Sequence, residues 1–204
     1  ASLRAADAAV LIIGAVHGIE VGTERVWEFL ETRGLPRLIF INKLDKENSS
    51  FENTLNSIRD RFGRQCVALE YPLGEHASFK GVANILSKDE LAKLAEPDKS
   101  KAEKLREELL DAVVETDDTL TEKYLEGKEL SADEITKALK SACVNGKVIP
   151  VFCGSAIQNI AITPLLDAIT DLLPSPAERP AVLWSRAGPR FGEAGSVSRR
   201  PEQG

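Results

Sequence analysis

The sequence predicts an α/β fold, a parallel sheet with flanking helices that is interrupted by a mostly helical insertion. Three observations predict it. Apolar runs of strand length, Ala8 to Ala15, Arg37 to Ile41 and Val148 to Phe152, are continuous rather than alternating, as in strands buried on both faces. A helical apolar pattern follows each run, which is the grammar of crossover connections in a parallel sheet. Roughly a hundred residues separate the second run from the third, too long an interval for a loop, so it must hold structure of its own.

Each element has its own local reasons. After the first run, Thr23, Val26, Trp27 and Leu30 recur at helical spacing, and Gly34 with Pro36 stops that helix. After the second run comes a helix whose apolar face is Phe51, Leu55, Ile58 and Phe62. The insertion opens with a candidate strand at Cys66 to Tyr71. Two helical patterns follow, Leu105, Leu109, Val113, Thr116, Leu120 and Tyr124, then Ile135, Ala138, Leu139 and Ala142. The second opens with a capping box, Ser131-Ala132-Asp133-Glu134. The last strand run leads into a helix with Ile162, Leu165, Leu166, Ile169, Leu172 and Leu173 on one face, and Thr163-Pro164 reads as its cap and first residue. The resulting division is residues 1–65 and 147–180 as core, 66–146 as an inserted subdomain forming a peripheral lobe, and 181–204 as a disordered tail rich in Gly and Arg.

Composition narrows the function classes. Hydrophobic residues make up 43% and charged residues 28% of the 204, ordinary globular values that argue against disorder or a coiled coil. No apolar run approaches the ~20 residues that span a bilayer, so a membrane role is not expected and the cytoplasm is. Cys66, Cys143 and Cys153 lie far apart without C-x-x-C spacing, which argues against a disulfide framework or a zinc site. The net charge is −6, and Lys88 to Glu134 alone carries 16 acidic and 8 basic residues. Such a segment is repelled by nucleic-acid phosphates, so its docking partner is expected to be a protein. The chain has no methionine and opens Ala1-Ser2-Leu3-Arg4, and we expect a truncated start.

Two short motifs carry chemistry. Asn42-Lys43-Leu44-Asp45 ends the second strand, in the crevice where open α/β sheets bind ligands. The Asp45 carboxylate can accept two parallel hydrogen bonds from guanine N1–H and N2–H, Asn42 can bridge neighbouring loops and reach the base edge, and the Lys43 stem can lie along the purine face. Adenine offers no such donor pair. Asn and Asp are also common turn residues at strand ends, but a second motif, Cys153-Gly154-Ser155-Ala156, ends the next core strand, where backbone N–H groups at Ser155 and Ala156 can donate to guanine O6.

With both motifs in place the chain resembles the latter part of the GTP-binding domain of elongation factor G, a translational P-loop GTPase, over residues 1 to about 182. Four segments carry the resemblance: Thr23-Glu24-Arg25-Val26-Trp27 through Asn42-Lys43-Leu44-Asp45; Glu122-Lys123-Tyr124-Leu125-Glu126-Gly127-Lys128-Glu129-Leu130-Ser131; Val151 to Ala156; and Leu166-Asp167-Ala168-Ile169 through Leu173-Pro174-Ser175-Pro176. The second lies in the insertion that sets elongation factor G apart from simpler GTPases. The resemblance implies GTP or GDP as ligand, with magnesium in the intact parent, and GTP hydrolysis on the ribosome driving translocation or recycling. It also implies the ribosome as partner, with the acidic insertion against the ribosomal stalk protein, and Asn42, Lys43, Asp45, Ser155 and Ala156 as the guanine-binding set. The phosphate-loop pattern G-x-x-x-x-G-K-[ST] and the switch segments do not occur in the 204 residues, so no catalytic residue and no metal ligand is assigned and the chain alone is expected to be inactive. The alternative is a truncated, non-enzymatic module whose insertion still docks to stalk protein. Two further departures are an insertion that looks short between Lys80 and Ala102, and Ala161 where the family commonly has Gly.

The other chemically able residues read as structural. His17 and His76 have no ligand-spaced partners, Cys153 behaves as a small hydrophobe at a strand end, and Glu107-Glu108 and Asp117-Asp118 read as solvated helix faces.

Overall fold

The computed structural model describes residues 6–128, 130–175, 177, 184–185 and 196–197. Its centre is a four-stranded parallel sheet of β1 (Ala9–Gly14), β2 (Arg37–Asn42), β3 (Cys66–Ala68) and β6 (Ile149–Cys153), in the order β1-β2-β6-β3. The α/β expectation therefore holds, with helices α1 (Val21–Thr32), α2 (Phe51–Phe62) and α7 (Ile162–Leu172) as crossovers or flanks. All five residues of β6 are buried, as its uninterrupted apolar run requires. β1 differs from expectation. It is an edge strand in which Leu11 and Ile13 are buried while Ile12 is 61% exposed, so one face is covered rather than two.

Helices α1 and α2 meet through Trp27 and Phe62, whose rings stack 4.0 Å apart, and the Arg37 guanidinium lies over the Trp27 ring. The expected stripe of α2 is buried in full, Phe51, Leu55, Ile58 and Phe62, with Thr54 added. Burying each such side chain stabilises the fold by ~1.5–3 kcal/mol. Ser50 caps this helix by accepting from Asn53 N.

The insertion departs from its expected form in three ways. The strand at Cys66 to Tyr71 is two strands. β3 completes the main sheet beside β6, and after Leu69 the chain leaves it as β4 (Glu70–Leu73), which pairs antiparallel with β5 (Gly81–Asn84). The long pattern Leu105 to Tyr124 is broken into α4 (Asp98–Val114) and α5 (Asp118–Leu125), because the Asp117 side chain accepts from Thr119 N and Leu120 N and starts a new helix there. Finally, α4 and α6 (Ala132–Val144) do not stand off as a peripheral lobe. Leu109, Val113, Leu139 and Cys143 are buried in one continuous core with the sheet, since the apolar stripes of both helices need a surface to cover. The Ser131–Glu134 capping box is formed as read from sequence, with Glu134 also bound to Lys123. A short helix, α3 (Lys88–Leu91), links β5 to α4.

At α7 the cap differs as well. The residue before the helix is Ala161, in the left-handed region at φ 61°, and Thr163 and Pro164 lie within the first turn, where proline's missing N–H costs nothing. Leu165, Ala168 and Leu172 form its buried face, and Leu166 is exposed. The tail assigned to 181–204 lies outside the described residues except for β7 (Trp184–Ser185) and β8 (Ser196–Val197), which pair antiparallel. Among the described residues no helix is long and apolar enough to cross a membrane.

Candidate functional site

Both motifs emerge at the carboxyl end of the sheet, from adjacent strands. β2 and β6 pair in register, Ile41 opposite Cys153, so the loops that follow begin side by side. Their backbones are tied directly: Gly154 N donates to Ile41 O at 2.9 Å, and Leu44 N to Gly154 O at 3.3 Å.

Side chains complete the union. Asn42 Oδ1 accepts from Lys43 N at 2.8 Å within its own loop and from Ala156 N at 3.0 Å across to the other. Ser155 Oγ donates to Asp45 Oδ1 at 2.6 Å. Four of the five predicted residues, Asn42, Asp45, Ser155 and Ala156, are thereby brought into one network. Lys43 is the fifth; its backbone is left-handed at φ 69° and its side chain is exposed. Such a conformation is strained for a residue with a Cβ, and here the Asn42 amide oxygen holds the Lys43 N–H in place.

Asp45 is the electrostatic centre. Its side chain is only 2% exposed, with Lys46 Nζ 3.2 Å from Oδ2. The Ser155 hydroxyl holds its carboxyl below the ordinary carboxylate range, with Lys46 adding to the effect and burial opposing it. It is therefore ionised at neutral pH. A carboxylate has about four acceptor positions, and Ser155, Lys46 and the Asp45 backbone N–H take up three of them. Ser155 is itself fully buried, and its backbone exchanges hydrogen bonds with Ile160, which closes the loop 155–160.

One detail differs from the sequence expectation. Ser155 N donates to Ile160 O and Ala156 N to Asn42 Oδ1, so for guanine O6 to be met Ala156 N–H must be shared with or released by Asn42. Gly154 matters for a different reason. A Cβ there would lie 2.5 Å from Ile160 O and 2.9 Å from Phe40 Cζ, so only glycine fits between the sheet and the closing strand of the loop.

Two supporting residues were not found by reading the sequence. Glu70, 3% exposed, accepts from Cys153 N at 3.0 Å, and burial pushes its carboxyl up to about 7. His76, read as isolated, places Nδ1 3.0 Å from Lys46 O and 3.3 Å from Ser49 Oγ. Sequence spacing carries no signal for either, because the partners are 83 and 30 residues away. The three cysteines are buried and free. Burial pushes the thiols of Cys66 and Cys143 up to about 12 and that of Cys153 well above its ordinary value, which leaves no activated nucleophile among them. Among the described residues no group of three or more His, Cys, Asp or Glu side chains could hold a metal ion.

The family model described as elongation factor Tu GTP binding domain matches residues 1–175. Among solved structures, a crystal structure of a protein from Thermus thermophilus is 34% identical with a TM-score of 0.78, over 87% of this chain and 28% of that one. The chain thus spans little more than a quarter of the length of that protein.

Proposed function

The chain belongs to the elongation factor Tu GTP binding domain family, and from that premise we propose that it is the base-reading part of a translational GTPase of the elongation factor G type. The observation that carries this reading is the cross-loop network, Asn42 Oδ1 with Ala156 N and Ser155 Oγ with Asp45 Oδ1. It holds an ionised carboxylate at the sheet's carboxyl end, the kind of acceptor that a base with two adjacent N–H donors requires. In this reading GTP or GDP is the ligand, Asp45 selects guanine, Asn42 and Ser155 fix the two loops, Ala156 N–H meets O6, and the Lys43 stem covers the ring. The protein acts in the cytoplasm on the ribosome, where GTP hydrolysis drives translocation or recycling, and the acidic faces of α4 to α6 dock against stalk protein.

Magnesium does not fit the residues present. The hydroxyl ligand of a phosphate loop is not in this sequence and no acidic cluster takes its place among the described residues, so no step is assigned to the metal here. The same absence of a G-x-x-x-x-G-K-[ST] pattern favours a second reading, in which these 204 residues act without hydrolysis as a docking module.

The test is Asp45→Asn with guanosine and xanthosine monophosphates as probes, read by amide chemical shifts of the 204-residue chain. The variant exchanges one acceptor for a donor, and a hydrogen bond to a charged group contributes ~1.5–3 kcal/mol, so guanosine binding should weaken at least about tenfold while xanthosine binding improves. Equal guanosine binding by both proteins would reduce Asp45 to a turn residue.

A further inference from the structure

The antiparallel hairpin β4–β5 touches both guanine loops, one at its base and one at its tip. At the base, β3 runs beside β6 only as far as Ala68 opposite Val151, with Leu69 N donating to Val151 O. The chain then turns away, and Cys153 N–H, the next donor on that side of β6, has no backbone to receive it. Glu70 Oε2 supplies the acceptor at 3.0 Å, one residue before Gly154-Ser155-Ala156. A buried N–H without a partner costs ~1–3 kcal/mol.

At the tip, the segment between the strands is pinned. Gly74 has φ 86°, and a Cβ on it would lie 2.3 Å from Ser78 O. Ser78 Oγ and Glu75 exchange hydrogen bonds, Lys80 N donates to Leu73 O, and Phe79 is buried. His76 projects from this rigid turn, and its Nδ1 contacts Lys46 O, the carbonyl after Asp45, together with Ser49 Oγ. Ser49 Oγ donates to Leu44 O, so both sides of Asp45 are held. Nδ1 is therefore the donor, to Lys46 O and Ser49 Oγ.

We propose that the β4–β5 hairpin braces the two guanine loops, with Glu70 and His76 as positioning residues that set the placement of Ser155-Ala156 and of Asp45. The inference rests on the reading of those loops as the guanine site.

The test uses the ¹⁵N-labelled 204-residue chain and four variants: Glu70→Leu and His76→Ala, which remove the contacts, and Glu70→Gln and His76→Asn, which keep an acceptor and a donor in place. Amide exchange is read beside the urea midpoint. Glu70→Leu should speed exchange at Cys153, Ser155 and Ala156 by about tenfold or more, and His76→Ala should do the same at Leu44 and Lys46, with Gln and Asn restoring protection. Acceleration spread evenly over β2 and β6, or none at either loop, overturns the proposal. In a second arm guanosine and adenosine monophosphates are titrated at about 1–10 mM. Weaker guanosine binding in both contact-removing variants supports the brace, and unchanged binding with unchanged exchange overturns it. A parent chain that shows no guanosine-specific shifts overturns the guanine reading alone, and the exchange arm then decides the brace.

Discussion

Glu70 makes the stability of this protein depend on pH in a way that a single substitution exposes. Its carboxyl sits in the core with a backbone N–H as partner and Glu90 nearby, and burial raises it from an ordinary 4.5 to about 7. In the unfolded chain the proton leaves near the ordinary value. Between these two points the folded state holds a proton that the unfolded state has released, so this group's contribution falls as pH rises through the window and levels off above about 7. The difference corresponds to about 3 kcal/mol of destabilisation at pH 8, and less than about 1 kcal/mol at pH 5. Glu70→Gln keeps an oxygen acceptor for Cys153 N and removes the ionisation. Its added amide hydrogens introduce a penalty of their own, but one independent of pH. The informative quantity is therefore the variant's gain at pH 8 minus its gain at pH 5, which should be about 2 kcal/mol. With a urea dependence of ~1–3 kcal/mol per M, that is a relative shift in midpoint of about 1 M, readable by circular dichroism. The same gain at both pH values would place Glu70 among ordinary carboxylates and refute the reasoning.

Three further outcomes follow from the site. Gly154→Ala forces a methyl group to within 2.5 Å of Ile160 O; it should destabilise the chain by ~2 kcal/mol or more and broaden the amide signals of Ser155 and Ala156 in an NMR spectrum. Ala161→Gly relieves a left-handed residue at φ 61°; allowing for glycine's freer unfolded chain, it should raise stability by ~0.5–1 kcal/mol in urea titration. Finally, the 204 residues contain no phosphate-loop pattern, so the purified chain should release no phosphate from GTP above a buffer blank and bind it more weakly than about 10 μM by calorimetry.

What the sequence reveals, and what it hides, follows from the range of the interactions involved. The faces of α2 and α6 and the strand β6 are readable because each is set by spacing within one segment, and the capping box at Ser131 and Glu134 is likewise local. The break between α4 and α5 is also local, yet it is missed by periodicity, since Leu120 and Tyr124 continue the apolar spacing while Thr116 and Thr121 hydroxyls donate to the last carbonyls of α4 and Asp117 caps α5. The exposure of Ile12 is not set by the run itself. A continuous apolar run specifies a strand, but whether one or two faces are covered depends on the order of strands in the sheet, and β1 stands at the edge. The placement of β3 in the main sheet and of β4 outside it is hidden for the same reason, because six residues of similar character divide between two sheets at Leu69.

The candidate site shows the same division within a smaller space. Asn42, Asp45, Ser155 and Ala156 are legible as a set because each offers a donor or acceptor at the end of one of two successive core strands, and the structure joins them across the two loops. Glu70 and His76 are not, because nothing about supporting a loop dictates the residue type. Any buried acceptor opposite Cys153 N, or any donor beside Lys46 O, satisfies the backbone equally well. The choice of a carboxylate at position 70 is the costly one, as its raised proton affinity shows, and a neutral amide there meets the same hydrogen bond without the charge.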